Sequence, residues 1–397
     1  MMKNANEENL TALIAHNLNA LENLIDANIE RDIRLFRITS DLIPFGSSPV
    51  NTLAWHALFS RRFEEIGRKI KDGGMRVSMH PGQYTVLNSP YDNVVQRAIA
   101  DLEYHAQVLD CLGVDCSHKI ILHIGGAYKD KPSAIKRFVD IVQGLSPRVF
   151  NRLAIENDDI SFHIGDVLGV SAVLGLPVVF DTLHHAINPH LSENPVDFWI
   201  DACGATWKPC DGRQKIHYSQ QNPGKKPGAH SESIEILPFL DFYRGYQNRP
   251  IDVMLEVKDK NISAVKCQMC TSPPQSPALL EREWSRYKYL VMEHSPAVYG
   301  QIRHLMHCGS VDPLVFYRLV EEALAEPLIP GRQINAAEHI WGYFKGFSSL
   351  GEQTKFRSCI DKLSNGETLS CKRHLHNMAK KHQNNYLLHS YYFSSAI

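Results

Sequence analysis

The feature that most constrains this chain is a strict alternation of short β-rich runs with amphipathic helical stretches, sustained through most of its length. Strands are predicted at Ile33–Ile38, Arg76–His80, Lys119–His123, Leu153–Glu156, Val178–Asp181, Lys215–Tyr218 and Asp252–Glu256. Helices are predicted at Leu10–Ile29, Leu53–Lys71, Val94–Leu112, Ser133–Leu145, Ile164–Leu174, Leu191–Cys203 and Ile234–Tyr246. In the first of these, Leu13, Leu18, Leu21, Leu24 and Ile25 recur near helical spacing. Such alternation implies a parallel sheet wrapped by helices. The seven strands are one short of the eight that close a TIM-type (β/α) barrel. The expected fold is therefore α/β: a TIM-type barrel lacking its first strand.

The β signal fades after a Pro/Ser-rich stretch, Thr271 to Pro277. Helices are predicted beyond it at Glu281–His294, Val315–Ala325, Ala336–Phe344, Glu352–Leu363 and Lys372–Asn385. This divides the chain into a barrel over residues 1–270, a linker over 271–280 and a small all-α domain over 281–397.

Composition excludes little. The net charge is -1, so any nucleic-acid contact must come from a local basic surface. The nine cysteines form no framework, and Cys267 and Cys270 make a lone CxxC without the second pair of a zinc site. No signal pattern or bilayer-length apolar run is present, and the expected location is the reducing cytoplasm.

Chemistry is concentrated at the strand ends. Successive strands terminate in His80, His123, Glu156 and Asp181; the next carries Lys215 and His217 on one face, and the last ends in Glu256. In a (β/α) barrel the C-terminal strand ends share one mouth. His184 and His230 can join them from loops. Imidazole with carboxylate suits a first-row divalent ion. Clustered carboxylates repel without cations. A set this large can hold more than one ion, which suits phosphodiester hydrolysis. Any one of these residues alone reads better as a hydrogen-bonded core histidine or a structural ion pair; the coincidence of so many strand ends is what points to a metal centre.

Two loops extend the pattern. His80-Pro-Gly-Gln83-Tyr84 puts an amide and an aromatic just past a ligand candidate, a pair able to enter a duplex where bases are displaced; a surface turn with a packed tyrosine is the plain alternative. The loop Gly224 to His230 offers Lys225 and Lys226 to phosphates, or is a solvated basic turn.

At these residues the sequence resembles the ultraviolet damage endonuclease family. The matching stretches are FRITSDLIPF, SMHPGQYTVLNSP, ILHIGGAYKDK, AIENDD, PVVFDTLHH, KIHYSQQ with GKKPGAHSE, and DVMLEVKDKN. The resemblance implies a TIM-type barrel holding about two or three manganese-class divalent ions. It implies hydrolytic incision of damaged double-stranded DNA immediately 5′ to cyclobutane dimers and 6-4 photoproducts, without ATP or another nucleotide cofactor and without a membrane. Carried over, the metal ligands are His80, His123, Glu156, Asp181, His184, His217, His230 and Glu256. Lys215, Glu256 and His230 are the implied catalytic residues, Lys215 as a carboxylated lysine. Gln83 and Tyr84 become the lesion-probing pair.

Two departures stand out. Family members begin with a short Gly-Tyr-bearing strand ahead of the first helix, and this chain starts at that helix. A misassigned start or a truncated form is expected, with damage-contacting residues missing. A histidine common in relatives near Ser48 is also absent, and no role is assigned there. The C-terminal part resembles the YbgA-like domain of unknown function through YKYLVMEHSPAVYG, INAAEHIWGYFKGF and NNYLLHSYYF. Its Lys372, Arg373, Lys380 and Lys381 form an expected basic patch, serving nucleic acid or solvent. Competing readings are an apurinic endonuclease or sugar isomerase of the same architecture, and a truncated, non-catalytic DNA-binding protein.

Overall fold

The computed structural model describes residues 6–272, 276–309 and 311–394. The middle of the Pro/Ser stretch, 273–275, lies outside them. The described residues divide into two compact units. One runs to Ile234 and resumes over Tyr243–Val265; the other takes Glu235–Phe242 and the described chain from Lys266 onward.

The first unit is a nearly closed barrel of seven parallel strands in sequential order. They are β1 (Leu35–Ile38), β2 (Arg76–Met79), β3 (Ile120–His123), β4 (Leu153–Glu156), β5 (Val178–Asp181), β6 (Gln214–Tyr218) and β7 (Ile251–Leu255). β4 and β5 are buried along their whole length, as central parallel strands covered on both faces must be. Register sets the functional level: His123 pairs with Glu156, and Asp181 with His217. At the seam, Arg37 of β1 donates to Glu256, just past β7.

The surrounding helices follow local signals. Glu7–Glu30 presents Leu10, Ile14, Leu18, Leu21 and Ile25 to the core. Ile164–Leu174 is capped by His163 with Asp166 in a reciprocal box and ends at the left-handed Gly175. Three expectations are corrected. The helix expected at Leu53–Lys71 is two, Trp55–Leu58 and Ser60–Asp72, interrupted at Phe59. The one expected from Leu191 starts at Val196, because Pro195 fits a helix start and not an interior. A short helix, Thr182–Ile187, follows β5 unforeseen, nucleated by the Asp181 carboxylate accepting the His184 N–H at 2.7 Å.

The second unit is helical among its described residues. Proline opens Pro277–His294, Pro296–His307, Pro313–Ala325 and Pro330–Trp341, where its missing N–H costs nothing. Pro296–His307 was not expected from sequence. Leu350–Ser364 and Leu369–Lys381 complete the core, in which Trp341 stacks on Phe356 with ring centroids 4.4 Å apart. The expected basic patch is corrected here. Lys372 is buried, with Nζ 2.5 Å from Glu293 Oε1, and Lys381 pairs with Glu352 at 2.7 Å; Arg373 and Lys380 remain exposed. No described helix is long and apolar enough to cross a membrane.

Candidate metal centre

The ends of β2 to β7 and their loops bring the strand-end side chains together around Glu156, which is almost wholly buried. Its Oε2 lies 3.1 Å from His80 Nε2 and 3.7 Å from His123 Nε2. Its Oε1 lies 2.8 Å from His217 Nδ1 and 3.9 Å from His184 Nδ1. His217 Nδ1 is also 3.3 Å from Glu256 Oε1, and His230 Nε2 is 3.6 Å from Glu256 Oε2. Donors that share one ion, each about 2.1 Å from it, lie about 3 Å apart, the scale of the His80 and His217 separations. Two groups of potential ligand atoms each fit within 4.8 Å: His80, His123 and Glu156; and Glu156, Asp181 and His217. Glu156 belongs to both.

The electrostatics are those of buried carboxylates and imidazoles acting on one another. Burial pushes the Asp181 carboxyl up to about 7, against the pull of His184 and reinforced by Glu156 and Glu256. Burial opposes ionisation of Glu156 and Glu256 too. His217 and His123 nonetheless hold Glu156 well below the carboxylate range, and His217 with Arg37 brings Glu256 down to about 2. Burial would depress His184, but Asp181 and Glu156 overcome it and push the imidazole up to about 9. His217 is raised likewise by Glu156 and Glu256 against its burial. His123 and His230 are depressed by burial first. Asp181 Oδ2 and His123 Nδ1 are buried without a hydrogen-bond partner. Buried polar atoms are rarely left so unless something else meets them.

Asn157 and Arg37 belong to this site and were missed in the sequence. Asn157, fully buried, accepts the Asp181 N–H at 2.9 Å and donates to the Asp181 carbonyl at 3.2 Å. Its own carbonyl lies 2.9 Å from His184 Nδ1; since a carbonyl only accepts, that nitrogen carries the proton and Nε2 is left for a ligand. Its polar side chain directly after a strand-end glutamate was the available signal. Arg37 offered none, because an arginine inside an alternating strand reads as a solvent-facing residue.

Lys215 lies two positions before His217 in β6 and is fully buried, with Nζ lacking a hydrogen-bond partner. Burial, then Arg76, holds its pKa well below the usual lysine range. Gln83 and Tyr84 are exposed at the tip of a turn closed by Thr85 N–H on Gly82 O at 2.9 Å. A Cβ on Gly82 would collide with the Tyr84 ring, so only glycine lets the ring lie there. Lys225 and Lys226 are exposed, with Lys225 paired to Glu232 at 2.9 Å. Cys267 and Cys270 sit on the helix Asn261–Thr271, and neither is in a disulfide.

Known proteins supply an independent comparison. The sequence profile described as UV-endonuclease UvdE matches residues 1–273, and that of a protein of unknown function, DUF1722, matches residues 288–395. The UV DNA damage endonuclease of Clostridium perfringens (strain 13 / Type A) is 39% identical over 331 residues, 82% of this chain and 79% of the relative. That of Bacillus cereus (strain B4264) is 31% identical over 266 residues, 66% of this chain and 83% of the relative. The crystal structure of SacUVDE matches with a TM-score of 0.63 and 38% identity over 66% of this chain and 88% of that one. With its profile covering the whole barrel and its relatives aligned across most of their length, the chain belongs to the UV-endonuclease UvdE family.

Proposed function

We propose that this protein is a DNA-repair endonuclease that uses divalent metal ions to hydrolyse the backbone immediately 5′ to ultraviolet photoproducts in duplex DNA. The observation that carries the reading is the buried group Glu156, Asp181 and Glu256, with Asp181 Oδ2 unmet. Carboxylates crowded this way need cations, and the chemistry of the set suits manganese-class ions. The ligands would be His80, His123, Glu156, Asp181, His184, His217, His230 and Glu256, holding roughly two or three ions. Bound ions supply an activated water and offset charge on the phosphate in the transition state.

The chain's own residues do the rest. Arg37 keeps Glu256 ionised beside its ligand imidazoles. Asn157 fixes the ring of His184 and the backbone of Asp181. His184 must release its proton before Nε2 can serve, so loading liberates acid. Burial disfavours the charged form of Lys215; an uncharged amine there would add to the carbon of carbon dioxide and release one proton to solvent, and the carbamate would bring acceptor oxygens to the catalytic group with Glu256 and His230. Gln83 and Tyr84 would enter the duplex at the lesion, and Lys225 and Lys226 would meet phosphates. The substrate is damaged double-stranded DNA.

The test is incision of a labelled duplex carrying one thymine dimer. A cut on the 5′ side of the dimer, dependent on manganese and abolished by chelator, is expected. Equal cutting of the undamaged duplex, or cutting that ignores the chelator, would reject the reading.

A further inference from the structure

The turn that carries Gln83 and Tyr84 is gripped from beneath by one turn of the helix Asp92–Cys111. Asp101, Tyr104 and His105 stand at i, i+3 and i+4, on one helical face, and all are buried. Asp101 Oδ2 accepts the Thr85 hydroxyl at 2.7 Å, at the residue that closes the turn. Asp101 Oδ1 accepts the Ser47 hydroxyl at 2.9 Å, and its carbonyl accepts from His105 Nδ1 at 2.6 Å. At the other end of the turn, Ser40 Oγ donates to the His80 carbonyl at 2.7 Å and sits 3.0 Å from His105 Nε2. Tyr104 donates to the Ser40 carbonyl at 2.9 Å and accepts the Ile43 N–H at 3.1 Å. His80, a candidate metal ligand, and Tyr84, a candidate probe, are thus held by the same few side chains.

We infer that Asp101 is a positioning residue for damage recognition: through Thr85 it fixes the Gln83–Tyr84 tip relative to His80, so that lesion contact and metal chemistry stay in register. The inference rests on the probing role proposed for that pair. A tip left to move would have to order itself on DNA, which weakens binding that depends on it. Undamaged duplex, which offers no displaced base, gains nothing from that order. Asp101 is a buried carboxylate whose side chain meets two hydroxyls, those of Thr85 and Ser47, with the His105 imidazole 3.7 Å away.

The experiment is a double-variant cycle on the full chain, read as the ratio of affinities for thymine-dimer and undamaged duplex. Asp101→Ala and Thr85→Val are each expected to lower this ratio on the order of five-fold, the worth of one buried hydrogen bond. Thr85→Ser, which restores the hydroxyl, should recover it. In a Tyr84→Ala background Asp101→Ala should change the ratio by less than about two-fold, since the probe it serves is gone. Thr85→Val removes only the hydroxyl at constant shape, so it keeps the test open if Asp101→Ala folds poorly. Full additivity of Asp101→Ala with Tyr84→Ala, or an unchanged ratio in Thr85→Val, overturns the inference while leaving the probing role standing. If Tyr84→Ala alone leaves the ratio intact, the probing role fails first and the positioning role with it.

Discussion

Both units bury charged side chains, but the helical unit and the barrel mouth neutralise theirs by different rules. In the helical unit each buried carboxylate named here has a cation of its own: Glu293 pairs with Lys372, whose ammonium also lies 4.5 Å over the Tyr392 ring, and Glu283 pairs with Arg286 and accepts from Tyr391 at 3.2 Å. The first joins the helices Pro277–His294 and Leu369–Lys381 and the second lies within Pro277–His294, and both make structure. At the barrel mouth, acids gather with acids. Glu156, Asp181 and Glu256 share histidines, and among them Glu256 has an ion pair with Arg37. A fold does not gather like charges for its own stability. The contrast separates charge that holds a core together from charge that waits for a ligand.

That contrast can be broken in several places. The largest effect is expected for Glu156→Gln, which removes the shared carboxylate: incision should fall to background while the metal-free thermal midpoint falls by no more than about 4 °C, read by gel assay and calorimetry. A midpoint that drops sharply would make Glu156 structural. Lys372→Met should do the reverse, since it strands Glu293 without its cation; a loss of about 3–5 kcal/mol is expected in chemical denaturation. Less than about 1 kcal/mol would show the buried pair to be dispensable. Arg37→Gln should lower metal affinity by roughly 10- to 100-fold through Glu256, as the loss of a group orienting a ligand does; unchanged affinity in a metal titration would remove Arg37 from the site. The smallest effect is with pH. The His184 imidazole is raised to about 9 in the metal-free protein, so below that pH an ion must displace its proton. Affinity should therefore rise with pH, by about ten-fold from pH 7 to pH 8 for one proton displaced. A flat profile over that interval would mean His184 does not ligate.

How much of this was readable from the chain depends on the length scale of the signal. The alternation of elements was, because each strand and helix carries its own periodicity. The strand-end residues were also readable, because a parallel barrel sends all its C-terminal ends to one side and the motif needs no contact information. The seam contact from Arg37 to Glu256 spans most of the barrel sequence, and no local pattern announces it. Asn157 works through backbone groups, which sequence does not display. Lys372 was read as a surface cation from its neighbours Arg373 and Lys380, whereas one residue along a helix turns the side chain by about 100° and buries it. The break at Phe59 and the late start at Val196 are likewise settled by packing and by Pro195, not by apolar spacing.

The central claim is that the barrel mouth is a multinuclear metal centre. Its most direct measurement is a manganese titration of the metal-free protein followed by electron paramagnetic resonance, which counts the ions taken out of solution. Roughly two to three ions bound per chain, reduced in Glu156→Gln, is the expected result. No uptake, or the same uptake in the wild-type chain and in Glu156→Gln, would contradict it.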